Sequence, residues 1–185
     1  VNTELLAVSQ RGGTIRASVR NGRSRGQLQV DYLVLALPAT LLRRVPITPA
    51  LPVQQHEAIA SLPYGRGTKT LLQFSHRFWR KPSQPRAFGS PFAFGAGWEG
   101  NEEQRGKAGI LSLLAGGSAS DATASLVDRE GIQGVVRSLD WLGAKQAELV
   151  GWRQTRWEAD PWSRGGYAVF DTAFAPTERG WLAQP

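Results

Sequence analysis

A short glycine-rich stretch is the first candidate for chemistry in this sequence. Gly95 to Gly100 (GAGWEG) matches the pattern G-x-G-x-x-G, which binds the pyrophosphate of a dinucleotide when it joins an apolar strand to a helix. The residues after Gly100 (NEEQRGKAG) are polar, include adjacent glutamates and offer no apolar face on which a helix could pack. We therefore predict that Gly95 to Gly100 forms a loop that does not bind a dinucleotide.

A lysine inside an apolar run is the second candidate. Lys69 begins the stretch Lys69 to Phe74 (KTLLQF), which is typical of a strand. An ammonium group held on a rigid strand beside an apolar pocket can bind and orient a water molecule. A single lysine in a strand is nevertheless far more often a solvated surface residue, so this residue alone does not indicate catalysis.

Metal and thiol chemistry find little support in the sequence. The chain has no cysteine, so it forms neither a disulfide nor a thiolate metal site. Its two histidines, His56 and His76, lie in unrelated contexts and make a poor pair of ligands. No metal site is predicted.

The elements that must position these residues predict an α+β fold, with a mixed, largely antiparallel sheet and a few flanking helices. Strands and helices do not alternate in the regular manner of a parallel sheet. Asn21 and Gly22 are a hairpin turn signal between the second and third strands. One helix is expected to begin at Asp128 as its N-cap and to end at Gly143. The expected strands are Thr3–Ser9, Thr14–Val19, Leu28–Leu37, Lys69–Phe74, Ala87–Phe94, Gly109–Ala115, Leu149–Trp157 and Gly166–Phe170, and a further helix is expected over Pro52–Leu62.

Length and charge narrow the class of protein. The 185 residues, 41% hydrophobic and 20% charged, suit one ordinary globular domain. The net charge of +7 is spread over small groups such as Arg43-Arg44 and Arg80-Lys81, which favours a solvated surface over nucleic-acid binding. No apolar run is long enough to span a bilayer, and no signal peptide is visible, so a cytoplasmic location is expected.

The two ends of the sequence indicate a piece of a longer protein. No methionine occurs, not even at position 1, and the chain starts with the strand-like run VNTELLAV. It stops at ERGWLAQP, again without a terminal element. The charge of the whole protein is then unknown, which weakens interpretations based on charge.

One continuous segment, Asp31 to Lys81, carries a family resemblance. An apolar run ends in Leu37-Pro38, and a proline-rich connector follows that ends in PALP. After a helix come LPYGRGTK and a strand that finishes near Phe78-Trp79. This order resembles the flavin-containing amine oxidase family, which includes the monoamine and polyamine oxidases. A second block, Trp157 to Phe170 (WEADPWSRGGYAVF), resembles a later segment of that family.

The resemblance implies an architecture and an activity. Residues 1–185 would be the substrate-binding domain of an FAD-dependent amine oxidase, with edges of the FAD-binding domain at about residues 1–38 and 158–185. The enzyme would oxidise a small-molecule amine to an imine and reduce dioxygen to hydrogen peroxide. FAD would be held mostly by the remaining FAD-binding domain, outside this chain, so the fragment alone would be inactive. Neither a nucleic-acid partner nor a membrane span is expected.

The resemblance also assigns roles to individual residues. Lys69 matches the catalytic lysine that reaches flavin N5 through a water molecule. Tyr167 matches an aromatic that flanks the substrate amine, and Trp157 matches a tryptophan close to both the flavin ring and the substrate. Leu5 lies near a position whose main chain contacts the adenine. Gly166 stands where members with covalent FAD have a cysteine, which implies FAD bound without a covalent bond.

Two alternatives remain open at this point. One is a related FAD-dependent desaturase or protoporphyrinogen-oxidase-like enzyme, which would act on carbon–carbon bonds and against which Lys69 argues. The other is a non-catalytic binding module that uses its basic surface. Peroxide release with simple amines separates the first from an amine oxidase, and salt-dependent nucleic-acid binding would favour the second.

Overall fold

The computed structural model describes residues 2–82, 86–174 and 176–184. These residues form two compact units. The first unit comprises residues 1–63 and 168–185, and the second comprises residues 64–167. The α+β class and the largely antiparallel pairing predicted from the sequence are confirmed.

The first unit is built on a three-stranded antiparallel meander with a short parallel strand at its edge. Apolar residues alternate along the middle strand, so that Ala17 is buried while its neighbour Arg16 faces solvent. Gly22 follows Asn21 in the second turn with φ of +58°, a backbone conformation that glycine adopts freely. The predicted hairpin turn is therefore confirmed. The strands are β1 (Thr3–Arg11), β2 (Thr14–Asn21), β3 (Ser24–Val30) and β4 (Ile47–Thr48).

The third strand ends at Val30, so the predicted strand over Leu28 to Leu37 is wrong. Within the described part of the chain, residues 31–37 join no strand ladder. Tyr32 and Val34 are 90% and 88% exposed, although they belong to an apolar run. An apolar run marks a tendency to be buried, but a strand forms only where another strand supplies hydrogen-bonding partners.

Helices complete the first unit. The predicted helix over Pro52 to Leu62 is confirmed, with Pro52 as its N-cap. Arg43 holds the C-terminal end of this helix, because the guanidinium Nε donates a 2.7 Å hydrogen bond to the carbonyl oxygen of Ile59. Gln55 donates from Nε2 to the carbonyl oxygen of Gln184 at 2.8 Å. The helices are α1 (Ala39–Leu42), α2 (Val53–Ser61) and, near the end of the chain, α4 (Pro176–Trp181).

The second unit is an antiparallel sheet of five strands with one long helix on one face. Along the strand that carries Lys69, Leu72 and Phe74 are fully buried against the helix, whereas Lys69 and Leu71 point to the other face and are half-buried. The strands are β5 (Gly67–Phe74), β6 (Ala87–Gly89), β7 (Ala96–Glu99), β8 (Gly109–Gly116) and β9 (Leu149–Arg156), in the order β6-β7-β8-β5-β9.

The glycine-rich stretch is part of this sheet, so the prediction of a loop over Gly95 to Gly100 is wrong. Its residues Ala96 to Glu99 form β7, and the next element is strand β8 rather than a helix. Gly97 is buried, and a Cβ there would lie 2.5 Å from Cζ of Phe88 and 3.0 Å from Cδ2 of Leu113. The glycine thus makes room for core side chains and does not form a phosphate-binding turn.

The long helix α3 (Ser118–Arg137) begins ten residues before the predicted N-cap Asp128, and that prediction is wrong. Its first half (SASDATASLV) consists mostly of small residues and lacks the apolar periodicity that marks a helix. Gly131 breaks the helical geometry with φ of +64°. The residues predicted at helical spacing, Ile132, Val135, Val136 and Leu139, are all buried in the core. Gly143 then has φ of +99° after a short 3₁₀ turn.

None of the helices in the described ranges is long and apolar enough to cross a membrane.

Candidate functional site

The start of β5 is where the second unit brings together the chain segments of Lys69, Trp157, Gly166 and Tyr167, whereas Leu5 lies in β1 of the first unit. The carbonyl oxygen of Gly67 accepts a 2.9 Å hydrogen bond from the amide of Trp157. The amide of Gly166 donates to the carbonyl oxygen of Gly65 at 2.8 Å, and the amide of Gly65 donates to the carbonyl oxygen of Tyr167 at 2.8 Å. Backbone bonds therefore connect Trp157 to the first residue of β5, and Tyr167 to Gly65, two residues before that strand.

Glycines make this close packing possible. A Cβ on Gly166 would lie 3.3 Å from both Cα and N of Gly67, and a Cβ on Gly165 would lie 2.6 Å from Cβ of Tyr64. Gly165 also has φ of +155°, at the edge of the range that favours glycine. The glycine residues around the LPYGRGTK and GGY motifs thus allow two backbone segments to lie against each other.

Lys69 lies on the sheet face opposite the helix and is half-buried. It is paired with Leu114 of β8 on one side and with Thr155 of β9 on the other. Its Nζ atom lies 5.2 Å from the ring centroid of Trp98. The ammonium group therefore lies over the sheet beside the indole ring.

The two aromatic residues differ in exposure. Trp157 is half-buried directly after β9, and its Cδ1 atom lies 3.4 Å from where a Cβ of Gly67 would be. Tyr167 is 64% exposed. The predicted strand over Gly166 to Phe170 is wrong, since no strand is assigned there. Single backbone bonds, such as those of Gly166 and Tyr167 to Gly65, help to hold this segment.

The charges beside the start of β5 are already paired. Glu158 accepts a hydrogen bond from the amide of Gly67 at 3.3 Å and forms an ion pair with Arg156 at 3.4 Å. Arg66 pairs with Asp121 at 2.7 Å on the exposed surface. Across the described ranges, no group of acidic and histidine side chains is arranged to hold a metal ion.

Sequence reasoning missed a buried ionic cluster on the helix-facing side of the sheet. The carboxylate of Glu99 accepts hydrogen bonds from Nε1 of Trp79 at 3.1 Å and from Nε of Arg80 at 2.8 Å. Arg77 pairs with the same carboxylate at 2.9 Å and also donates to the carbonyl oxygens of Gln104 and Gly106. The carboxylate of Glu99 is therefore fully engaged by Trp79, Arg80 and Arg77, and it faces away from Lys69.

The cluster shifts two pKa values. Burial on its own raises the pKa of Glu99, but the hydrogen bonds from Arg80 and Trp79 and the charges of Arg80 and Arg77 outweigh it, so the pKa of Glu99 is lowered. The hydrogen bond to Glu99 raises the pKa of Arg80. Trp98 and Glu99 are neighbours in β7, so their side chains point to opposite faces and one of the two must face the core. The sequence therefore held a partial indication of this arrangement.

Sequence reasoning also missed Ser112, which lies on the Lys69 face. It is 1% exposed and is paired with Leu71 on one side and Trp98 on the other. Its Oγ atom has no hydrogen-bond partner among the residues that the structure describes. A serine in an apolar strand carries no sequence signal that would single it out.

Comparison with known proteins identifies the family. The model of the family described as flavin containing amine oxidoreductase matches residues 1–180. The chain belongs to this family. A probable flavin-containing monoamine oxidase A from Dictyostelium discoideum is 23% identical over 137 residues, which are 74% of this chain and 30% of that protein. An L-glutamate oxidase precursor from Streptomyces diastatochromogenes is 39% identical over 49 residues, 26% of this chain and 8% of that protein.

Solved structures share the fold of this family member. Wild-type putrescine oxidase bound to putrescine superposes with a TM-score of 0.73 at 24% identity, covering 90% of this chain and 37% of that one. Cyclohexylamine oxidase from Brevibacterium oxydans gives a TM-score of 0.73 at 20% identity, covering 88% of this chain and 36% of that one. The chain thus spans less than two-fifths of the length of these proteins.

Proposed function

We propose that this chain is the substrate-binding portion of an FAD-dependent amine oxidase that converts an amine to an imine and dioxygen to hydrogen peroxide. Membership of the family supports an oxidoreductase that uses a flavin. The observation that carries the finer proposal is the position of Lys69. It is half-buried on a sheet face in the same unit as Trp157 and Tyr167, and backbone hydrogen bonds join Trp157 to its strand and Tyr167 to Gly65 just before that strand.

We also propose that most of the FAD is bound by other parts of a longer protein. The chain covers 30% of the monoamine oxidase relative and 37% of putrescine oxidase, which supports this layout. Residues of about 1–38 and 158–185 would then belong to the edges of the FAD-binding domain. Leu5, which lies in β1 of the first unit, would offer its main chain to the adenine.

The residues at the start of β5 suit a flavin ring. Lys69 supplies an ammonium donor beside the ring of Trp98, and Tyr167 offers an exposed aromatic side chain. The bound flavin would supply the electron acceptor for the amine and pass the electrons on to dioxygen. Lys69 would hold a water molecule in hydrogen-bonding position, while the rings of Tyr167 and Trp157 would orient the neutral amine and exclude other water.

The FAD would be held without a covalent bond at this site. A covalent link through a cysteine would need a side chain at Gly166. A Cβ there would be only 3.3 Å from the backbone of Gly67, so the first residue of β5 would have to shift by a few tenths of an ångström to admit it. This crowding supports the proposal that the position is occupied by glycine for reasons of packing.

Peroxide release tests the proposal directly. The full-length flavoprotein is offered primary monoamines, diamines and amino acids, and hydrogen peroxide is measured together with the aldehyde or keto acid from imine hydrolysis. Stoichiometric peroxide and carbonyl product with any of these amines would support an amine oxidase. Flavin reduction by a carbon–carbon substrate, without reduction by amines, would contradict it.

A further inference from the structure

The side chain of Lys69 lies along the sheet and crosses a neighbouring strand. Lys69 is on β5, and Trp98 is on β7, with β8 between them. Adjacent strands are about 4.8 Å apart, so the two backbones are separated by roughly 10 Å. In register, Lys69 is paired with Leu114, whereas Trp98 is paired with Ser112. The lysine therefore reaches diagonally over β8 to bring Nζ to 5.2 Å from the indole centroid.

No carboxylate competes with the indole for this ammonium group. Among the residues that the structure describes, Lys69 forms no ion pair. The acidic neighbour of Trp98 in sequence, Glu99, faces the core and is bound by arginines. Arg153 of β9 is paired with Leu71 and lies on the same face as Lys69. Its positive charge repels the ammonium group rather than attracting it. The face of Trp98 is thus the attractive surface that remains.

We propose that Trp98 is a positioning residue for Lys69. The electron-rich face of an indole attracts an ammonium group within about 6 Å, and tryptophan does so better than phenylalanine or tyrosine. The contact fixes the end of a side chain that has four rotatable bonds, and so fixes where its ammonium holds a water molecule. This inference rests on the proposed catalytic role of Lys69 and adds the residue that holds Lys69 in place.

A first experiment measures the contact without any turnover. Lysine labelled with ¹³C is incorporated into the full-length flavoprotein, and the ε-methylene signal of Lys69 is assigned by its loss in Lys69→Met. The indole ring current should shift that signal upfield. The shift should disappear in Trp98→Leu, persist in part in Trp98→Phe, and remain in Trp152→Leu, an exposed tryptophan that is paired with Leu72 on the opposite face.

A second experiment measures the consequence for catalysis. Trp98→Leu should lower kcat for amine oxidation by about 2- to 30-fold, the range that corresponds to a cation–π contact, and should change KM less. Trp98→Phe should restore most of kcat. In a Lys69→Met background, Trp98→Leu should cost nothing further, because a residue that acts through Lys69 has no effect once the lysine is gone.

The outcomes separate the two proposals. An unshifted Lys69 signal in the unmodified protein, or an equal loss of kcat for Trp98→Leu with and without Lys69, would overturn the positioning role. If Lys69→Met leaves oxidation unchanged, the catalytic role of the lysine fails, while the signal of Lys69 still decides whether Trp98 holds it. Circular dichroism and retained flavin absorbance confirm that each variant is folded.

Discussion

Gly166 lies directly against Gly67 at the start of β5. A Cβ added to Gly166 would be 3.3 Å from the amide nitrogen and from Cα of Gly67, closer than backbone atoms normally tolerate. The amide of Gly166 also donates a 2.8 Å hydrogen bond to the carbonyl oxygen of Gly65. The pair therefore determines how near the Tyr167 segment comes to the strand that carries Lys69.

Gly166→Ala should destabilise the protein by about 1–3 kcal/mol, as expected for an added methyl group in a packed site. Urea unfolding measures the loss. Gly89→Ala is the control, because Gly89 lies in the same unit, in strand β6, but has no atom within 4 Å of its Cβ position. Equal stability of the two variants would show that the Gly166 backbone has room to move.

Gly166→Cys extends this test to the cofactor. The cysteine would need the same space next to Gly67. We expect the purified variant to release its flavin on denaturation, as the unmodified protein should. Flavin fluorescence that stays with the polypeptide on a denaturing gel would show that a covalent link forms and that the packing does not prevent it.

Removing the charge of Glu99 should be far more harmful than removing an exposed one. Glu99→Gln leaves Arg77, whose side chain is 8% exposed, without its carboxylate, and breaking a buried pair typically costs about 3–5 kcal/mol. Glu102→Gln, which breaks an exposed pair with Arg86, should cost less than about 1 kcal/mol. Thermal unfolding of both variants makes the comparison. Similar melting temperatures would contradict the structural importance of the cluster.

The same carboxylate makes stability depend on pH. Because the pKa of Glu99 is lower in the folded protein than in the unfolded chain, its contribution is complete above the unfolded value of about 4.3. The contribution is lost as the pH falls through the lower, folded value. Unfolding free energies measured from pH 6 down to pH 2.5 should fall less steeply in Glu99→Gln than in the unmodified protein. Parallel curves would show that Glu99 titrates normally.

Local sequence patterns predicted most of the strands. The predictions failed where the structure of a segment depends on a partner that is distant in the sequence. Alternating burial along β5, which places Leu72 in the core and Lys69 outside it, follows directly from the sequence. The run from Leu28 to Leu37 did not, because its apolar residues give no information about which strand would pair with it. Gly97 is a glycine because Phe88 and Leu113 occupy its side-chain space, a contact that a local motif cannot reveal.

The candidate site shows the same division. Lys69, Trp157 and Tyr167 were predicted from motifs, and backbone contacts around Gly65 and Gly67 hold the segments that carry these motifs together. Trp98 and Ser112 were not found, because their relation to Lys69 arises from the register of two strand pairings. Such register depends on packing across the whole sheet.

Ser112→Ala tests whether the buried hydroxyl beside Lys69 has a partner in solution. A buried hydroxyl without a hydrogen bond is unfavourable, so its removal should leave the stability unchanged or raise it slightly. A loss of about 1 kcal/mol or more in urea unfolding would instead show that an ordered water binds the hydroxyl. Ser120→Ala is the contrast, because Ser120 shares a buried 2.6 Å hydrogen bond with Thr68 and its loss should destabilise.

Lys69→Met should separate the role of the ammonium from its contribution to the fold. Methionine keeps the length of the apolar stem, and Lys69 is half-buried without an ion pair among the described residues, so the flavin spectrum and the stability should change little. Loss of a group that positions a reacting molecule can slow a reaction by about 100-fold. Stopped-flow absorbance follows flavin reduction by an amine without oxygen, and reoxidation by dioxygen, as separate steps. Lys107→Met, in an exposed loop far along the sequence, is the control and should be as fast as the unmodified protein in both. Unchanged rates in both half-reactions of Lys69→Met would contradict the catalytic assignment.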